Sequence, residues 1–344
     1  MPPAKNKYDL SRFSRMDRIM KEVERLRSKC VMCGRCSSVC PSLRHGGCDP
    51  AAVMSGDDDL VLQCIGCGNC SRICRKTDPF RVMQDLICVK KGIRLSDAFA
   101  ETGYSVPAQA VADLVPKWSG EGVDVMPGCM VRCKVPYVEY AASAALESMG
   151  IAAKELPGNT CCMHPIQFRN MTGDERGAYK KKMELSAGGK PFVTLCAGCS
   201  EELSESGVKT EHIIPFLYEN LDKLPSFENP PKIALEPGCS ASADMDKMRT
   251  IAEKMGCVVT NQSWGCCGKY SPVSESLMRE REEECSGADL IVVGCPMCLI
   301  RYDDFPGGLP AVHICELVAM ASGDFSTLDR HKIKARIGDP PASG

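Results

Sequence analysis

The chain has 344 residues, 44% hydrophobic and 25% charged, with a net charge of −2, which suits a globular protein with a sizeable core. Near-neutral charge argues against nucleic acid or broad attachment to anionic lipid, and 6% aromatic content leaves no aromatic–basic stripe for stacking bases. Cysteine is the outlier, at 24 residues, and it poses a choice between a disulfide scaffold and a metal protein.

The first thirty residues, MPPAKNKYDLSRFSRMDRIMKEVERLRSKC, have no apolar h-region and no small-residue cleavage site. No run approaches the ~18 apolar residues of a membrane span. The expectation is a cytoplasmic chain whose thiols stay reduced and free for metal. Residues 1–29 predict an amphipathic N-terminal helix, with Phe13, Met16, Ile19, Met20, Val23 and Leu26 at roughly helical intervals.

Residues 30–95 hold two dense cysteine runs of identical C-x2-C-x2-C-x3-C spacing: Cys30, Cys33, Cys36, Cys40 and Cys64, Cys67, Cys70, Cys74. Three cysteines two residues apart let a tight loop wrap three corners of a [4Fe–4S] cubane. The fourth, on the following helix, ligates the other cluster in two-cluster proteins. The expected sets are therefore Cys30, Cys33, Cys36 and Cys74 on one cubane, and Cys64, Cys67, Cys70 and Cys40 on the other. Zinc ribbons use separated cysteine pairs, not triplets plus one. Pro41 follows Cys40 as in the usual run, whereas Arg75 follows Cys74.

Residues 96–122, with SVPAQAVADLVPKWSGEG, read as a linker. Beyond it the chain repeats itself at an offset of about 100–110 residues. VDVMPGC, ending at Cys129, matches IALEPGC, ending at Cys239. NTCCMHP, with Cys161 and Cys162, matches WGCCGKY, with Cys266 and Cys267. PFVTLCAGC, with Cys196 and Cys199, matches LIVVGCPMC, with Cys295 and Cys298. The repeats occupy 123–230 and 231–322, with a C-terminal tail at 323–344. Each reads as β-α-β-α-β, short apolar strands alternating with helices, which predicts parallel α/β sheets. The cysteines follow strands, where open α/β sheets place their ligand sites, so the two halves could face one another across a shared cleft. Five cysteines per repeat is one more than a cubane takes, and adjacent Cys-Cys side chains diverge. Either one is idle or the cluster is more open than a cubane.

These motifs resemble heterodisulfide reductase: a ferredoxin domain similar to its small dicluster subunit, followed by the duplicated CCG domain of its disulfide-cleaving subunit, as in a fusion of the two, over roughly residues 25–305. The resemblance implies an α/β plus α fold, with a helical two-[4Fe–4S] ferredoxin-like domain and two duplicated parallel α/β CCG subdomains. It implies two cubane and two non-cubane [4Fe–4S] clusters, with zinc as the alternative in the second repeat. It also implies that the non-cubane pair would cleave a coenzyme M–coenzyme B disulfide, as in methanogenesis. Alternatives are an electron-transfer subunit with no disulfide substrate, or the CCG subunit of a flavin dehydrogenase. Ser240 follows Cys239 where disulfide-cleaving members carry a proton-donating His, so His164 is the candidate catalytic residue. No G-x-G-x-x-G or G-x4-GK[ST] motif is present, so two-electron entry would come from a flavin- and cluster-containing partner like the electron-donating subunit of heterodisulfide reductase, or from a hydrogenase, formate dehydrogenase or membrane cytochrome. Six cysteines remain: Cys48, Cys88, Cys133, Cys257, Cys285 and Cys315. Of these, Cys48 and Cys133 lie nearest the cluster loops.

Overall fold

A computed structural model describes residues 10–91, 102–107, 113–162, 164, 181, 184–185, 187–261, 263–269 and 271–333. The chain divides into two compact units. The first, helical, is built on residues up to Leu95, and the second contains both repeats.

In the first unit, α1 (Leu10–Arg27) buries Val23 and Leu26 against α6 (Pro79–Lys91), which contributes Val82, Met83, Leu86 and Ile87 to the same core. Both helices end on cations, Arg25 and Arg27 in α1 and Lys90 and Lys91 in α6, where the helix dipole favours positive charge. Arg27 also donates to the Val53 carbonyl at 2.6 Å and pairs with Asp58. Between them lie four short helices: α2 (Arg35–Ser38), α3 (Pro41–Arg44), α4 (Pro50–Ser55) and α5 (Asn69–Ile73). Gly34 and Gly68 enter α2 and α5 at φ 72° and 77°, a left-handed conformation that glycine adopts at little cost.

The second unit holds two four-stranded parallel sheets of identical topology. β1 (Val123–Met126), β2 (Ala153–Glu155), β3 (Phe192–Thr194) and β4 (Thr210–His212) form one, in the order β2-β1-β3-β4. β5 (Lys232–Glu236), β6 (Val258–Val259), β7 (Leu290–Val293) and β8 (Ala311–His313) form the other, in the order β6-β5-β7-β8. The central pairs are in matching register, Val125 beside Val193 and Leu235 beside Val292. β7 is Leu-Ile-Val-Val and wholly buried, as a central parallel strand must be. The helices are α7 (Gly128–Lys134), α8 (Tyr137–Ser148), α9 (Ala197–Ser204), α10 (Ile213–Glu219), α11 (Met245–Lys254), α12 (Ser274–Glu284), α13 (Pro296–Asp303) and α14 (Ile314–Ala321).

Each repeat thus carries one strand more than the expected β-α-β-α-β. The extra strands are Thr-Glu-His and Ala-Val-His, too short to show alternation. The helix expected over ERGAYKKKMELSA lies mostly outside the described residues, as do much of the linker and the end of the tail.

One apolar core runs through both sheets, joining Val125 and Val193 of the first to Leu235 and Ile291 of the second. Helices α8 and α14 meet through Ala144 and Ala319, and Tyr140 donates to Asp324 at 2.8 Å.

Candidate metal centres

Cys30, Cys33, Cys36 and Cys74 line a single cavity of 290 Å³ in the first unit. Cys70 has close electrostatic neighbours in Cys64, Cys67 and Cys40, which add to the effect of burial in pushing its thiol up. Each run's fourth cysteine therefore stands with the first three of the other run. The local cause is the short helix. Cys36 and Cys70 lie on α2 and α5, while Cys40 and Cys74 lie past their ends in extended backbone. The fourth cysteine was expected on the helix itself. The helices stop short, after four and five residues, and the chain turns away toward the other set. Equivalent backbone donors serve both loops: Met32 N–H to Cys30 Sγ and Gly66 N–H to Cys64 Sγ, each 3.4 Å. Cys48 is buried beside the second set, hydrogen-bonding Cys64 and lying 3.6 Å from Met83 Sδ.

In the second unit the ten repeat cysteines lie near enough, pair by pair, to shift one another's thiols, and two of the pairs are direct sulfur–sulfur approaches. Cys129 Sγ lies 4.0 Å from Cys161 Sγ. Cys161 adjoins Cys162, Cys162 bonds Cys199, and Cys199 bonds Cys196. In the second repeat, Cys239 bonds Cys266, which adjoins Cys267. Cys298 Sγ lies 3.5 Å from Cys267 Sγ and bonds Cys295. Between the repeats, Cys196 and Cys295 shift one another.

The sheets dictate this arrangement. Cys196 and Cys295 are the N-caps of α9 and α13, so Cys199 and Cys298 fall in the first helical turn, where hydrogen bonding to Cys162 and Cys196, and to Cys267 and Cys295, pushes their thiols up. Gly128 and Gly238 precede Cys129 and Cys239 with φ 80° and 90°. A methyl on Gly128 would stand 3.0 Å from Cys199 Sγ, and one on Gly238 would stand 2.8 Å from Cys295 Cβ. Hydrogen bonds from Cys161 and Cys199 lower the Cys162 thiol to about 6, and those from Cys266 and Cys298 hold its counterpart Cys267 well below the usual thiol range. Thiolate is the metal-binding form.

These soft thiol donors suit iron–sulfur chemistry. Among the described residues no three His, Cys, Asp or Glu side chains converge as one ion would require. Cys133 lies one turn after Cys129 on α7. Cys88, Cys257, Cys285 and Cys315 are buried, the last three within the apolar core that the two sheets share. Burial pushes the thiols of Cys257 and Cys285 up to about 12.

His164 lies two residues past Cys162, half-buried, with Nε2 3.9 Å from Glu201 Oε2. Burial lowers its pKa, the Glu201 contact opposes that, and Lys269 adds to the lowering. Sequence reasoning took Ser240 only as the replacement of a His, and it missed Ser105, Lys269, His212 and His313. Ser240 donates a 2.5 Å hydrogen bond to Glu201, and Ser105 Oγ lies 3.0 Å from Cys129 Sγ. Lys269 takes φ 49°, uncommon for a residue with a side chain. Burial works against its charge, but the sulfurs of Cys239, Cys266, Cys267 and Cys295 outweigh it and raise its pKa. His212 and His313 occupy equivalent ends of β4 and β8. His212 Nδ1 and Nε2 and His313 Nε2 are buried without a hydrogen-bond partner. Burial, then the proximity of His313, lowers the His212 pKa to about 4. The shared T-E-H-I and A-V-H-I patterns were the available signal for this pair.

The profile of the 4Fe-4S dicluster domain matches residues 22–75, which supports two cubane clusters in the first unit. The B subunit of the ferredoxin/F420H2-dependent CoB-CoM heterodisulfide reductase of Methanosarcina acetivorans is 26% identical, over 57% of this chain and 87% of its own length. The B subunit of the CoM/CoB fumarate reductase of Methanothermobacter marburgensis is 21% identical, over 86% of this chain and 61% of its own length. A hypothetical protein from Helicobacter pylori of solved structure shares the fold at a TM-score of 0.50 and 11% identity, over 92% of this chain and 75% of that one. No described helix is long and apolar enough to cross a membrane. The chain carries a 4Fe-4S dicluster domain and is homologous, at modest identity, to the iron–sulfur B subunits of heterodisulfide reductase and CoM/CoB fumarate reductase.

Proposed function

We propose that the chain is an iron–sulfur oxidoreductase subunit that takes electrons through its N-terminal dicluster domain and uses the ten repeat cysteines to reduce a disulfide of the CoB-CoM type. The observation that carries this reading is the approach of the two repeats beside their cysteines, where Ser240 donates a 2.5 Å hydrogen bond to Glu201 and the Cys196 and Cys295 thiols shift one another. Reducing a disulfide consumes two electrons and two protons. The cubanes, when bound, supply electrons singly, and non-cubane [4Fe–4S] groups on the two quintets would hold one product sulfur each. His164, held toward Glu201, is the candidate proton donor. The electrons would come from a flavin-containing partner subunit.

Iron, sulfide and zinc per chain test this reading, together with EPR spectra with and without coenzyme M. About 16 irons would match four [4Fe–4S] centres, whereas about 12 with one zinc would count against a disulfide site between the repeats. Cys162→Ser and Cys267→Ser should each abolish a thiol-dependent EPR signal while sparing the cubane signals. Full disulfide reductase activity in both variants would overturn the assignment.

A second reading follows from coverage, since the fumarate reductase relative aligns over more of this chain than the heterodisulfide reductase one does. There the chain would pass electrons between a thiol site and a flavoprotein that reduces another acceptor. Co-purification with a flavoprotein, and flavin reduction on adding the two thiols, would favour it.

A further inference from the structure

Pro-Gly-Cys follows Met126 at the end of β1 and Glu236 at the end of β5. Both side chains are buried. A methionine at the end of a central strand needs no polar partner, whereas burial disfavours a carboxyl that has none. The second repeat supplies that partner from α12, which turns Ser274, Leu277, Met278 and Arg281 to the interior. These positions share one helical face, so Arg281 rides inward on an otherwise largely apolar stripe. Its Nε lies 3.3 Å from Glu236 Oε1, and its guanidinium also pairs with Glu284.

The other carboxyl oxygen of Glu236 reaches the cysteine loop. Gly265, the residue before Cys266 and Cys267, donates its N–H to Glu236 Oε2 at 3.0 Å. Burial pushes the Glu236 carboxyl up to about 8, against the pull of Arg281 and then of the Gly265 N–H. A methyl on Gly265 would stand 2.5 Å from Arg281 Cδ, so the backbone lies directly on the arginine arm and only glycine fits. The first repeat has Thr160 at that step. There the Cys161 N–H donates to the Gly103 carbonyl at 2.9 Å. The same cysteine pair is anchored by a backbone carbonyl in one repeat and by a buried ion pair in the other.

We propose that Glu236 and Arg281 are positioning residues for the second cysteine set: they fix Gly265, and through it Cys266 and Cys267, and so retain that set's metal centre. The inference rests on the reading that the repeat cysteines hold iron–sulfur centres, and it names what keeps the second of them in place.

The test follows the EPR signals of the repeat centres in the loaded protein while bathophenanthroline disulfonate, an iron chelator, strips them. Cys162→Ser and Cys267→Ser identify which signal belongs to which repeat. Glu236→Leu removes the acceptor of the Gly265 N–H and should speed the decay of the second repeat's signal about tenfold, as loss of a partner behind a metal ligand does. The first repeat's signal should decay as in the wild type. Glu236→Gln keeps an acceptor oxygen and should behave like the wild type. Arg281→Leu leaves a buried carboxyl unpaired and should lower the thermal midpoint as well. Glu236→Met/Arg281→Leu removes both buried groups, leaving the methionine that the first repeat carries. Its midpoint should recover while the second repeat's signal stays labile. If Arg281→Leu does not fold, the Glu236 variants and the double variant decide the matter. Recovery of midpoint and signal together in the double variant reduces the pair to a stabilising role and overturns the proposal. So does Glu236→Gln behaving like Glu236→Leu, or equal loss from both repeats. Wild-type protein without iron–sulfur signals from the repeats would sink the underlying reading as well; wild-type signals that the variants leave untouched would sink this inference alone.

Discussion

Ser240 of the second repeat donates a 2.5 Å hydrogen bond to Glu201 of the first, and the same carboxylate oxygen lies 3.9 Å from His164 Nε2. One side chain thus ties the two halves beside their sulfurs. A hydrogen bond to a charged acceptor contributes roughly 1.5–3 kcal/mol, and the partial exposure of Glu201 reduces that to about 1 kcal/mol. Ser240→Ala should lower the thermal midpoint of the loaded protein by about 2 °C. An unchanged midpoint would show that the bond adds nothing.

The crossed pairing in the first unit gives a spectroscopic prediction. Cys74→Ser should perturb the centre held by Cys30, Cys33 and Cys36, and Cys40→Ser the one held by Cys64, Cys67 and Cys70. EPR of the single variants Cys33→Ser and Cys67→Ser supplies the reference for each centre. If Cys74→Ser resembles Cys67→Ser instead, each run holds its own cluster.

Two glycines should answer differently to the same substitution. At Gly68 an added methyl would lie 3.6 Å or more from the tip of Arg72, so Gly68→Ala carries only the left-handed conformation, about 1–2 kcal/mol. At Gly238 the methyl would also stand 2.8 Å from Cys295 Cβ. Gly238→Ala should therefore destabilise the protein by more and lower the iron content of the repeats. Equal iron content in the two variants would contradict the close approach.

A buried cluster away from the sulfurs predicts a pH dependence. His331 Nδ1 lies 3.1 Å from Asp303 and Nε2 lies 3.0 Å from Glu316, with the Tyr137 ring edge-on at 4.9 Å. Burial works against the imidazolium, but Glu316 and Asp303 prevail and raise its pKa from 6.5 to about 10. The folded protein therefore keeps a proton that the unfolded chain releases near 6.5. The stabilisation is complete below about pH 6.5 and is lost as the pH rises toward 10, by an amount on the order of a few kcal/mol. Thermal midpoints measured from pH 6 to 10 should fall for the wild type and fall less steeply for His331→Gln. Parallel slopes would remove His331 as the cause.

The cysteine spacings, the duplication and the alternation of strands and helices were legible because each is a local pattern repeated along the chain. The fourth strand of each sheet was not. Thr210–His212 and Ala311–His313 are three residues long, and their place is fixed by pairing with β3 and β7 rather than by their own pattern. The contact of Ser240 with Glu201 joins residues 39 apart with no shared motif, so only the folded chain reveals it. Helix α12, in contrast, emerges where SESLMREREEE predicts it, because helix formers dominate that stretch.

His164 and Lys269 occupy the same step of the two repeats, the second residue after each Cys-Cys pair, and they are close enough to influence one another's charge. The duplication is therefore unequal where the two halves come near one another: one presents an imidazole whose pKa burial and the neighbouring cation lower, the other an ammonium that four sulfurs hold charged.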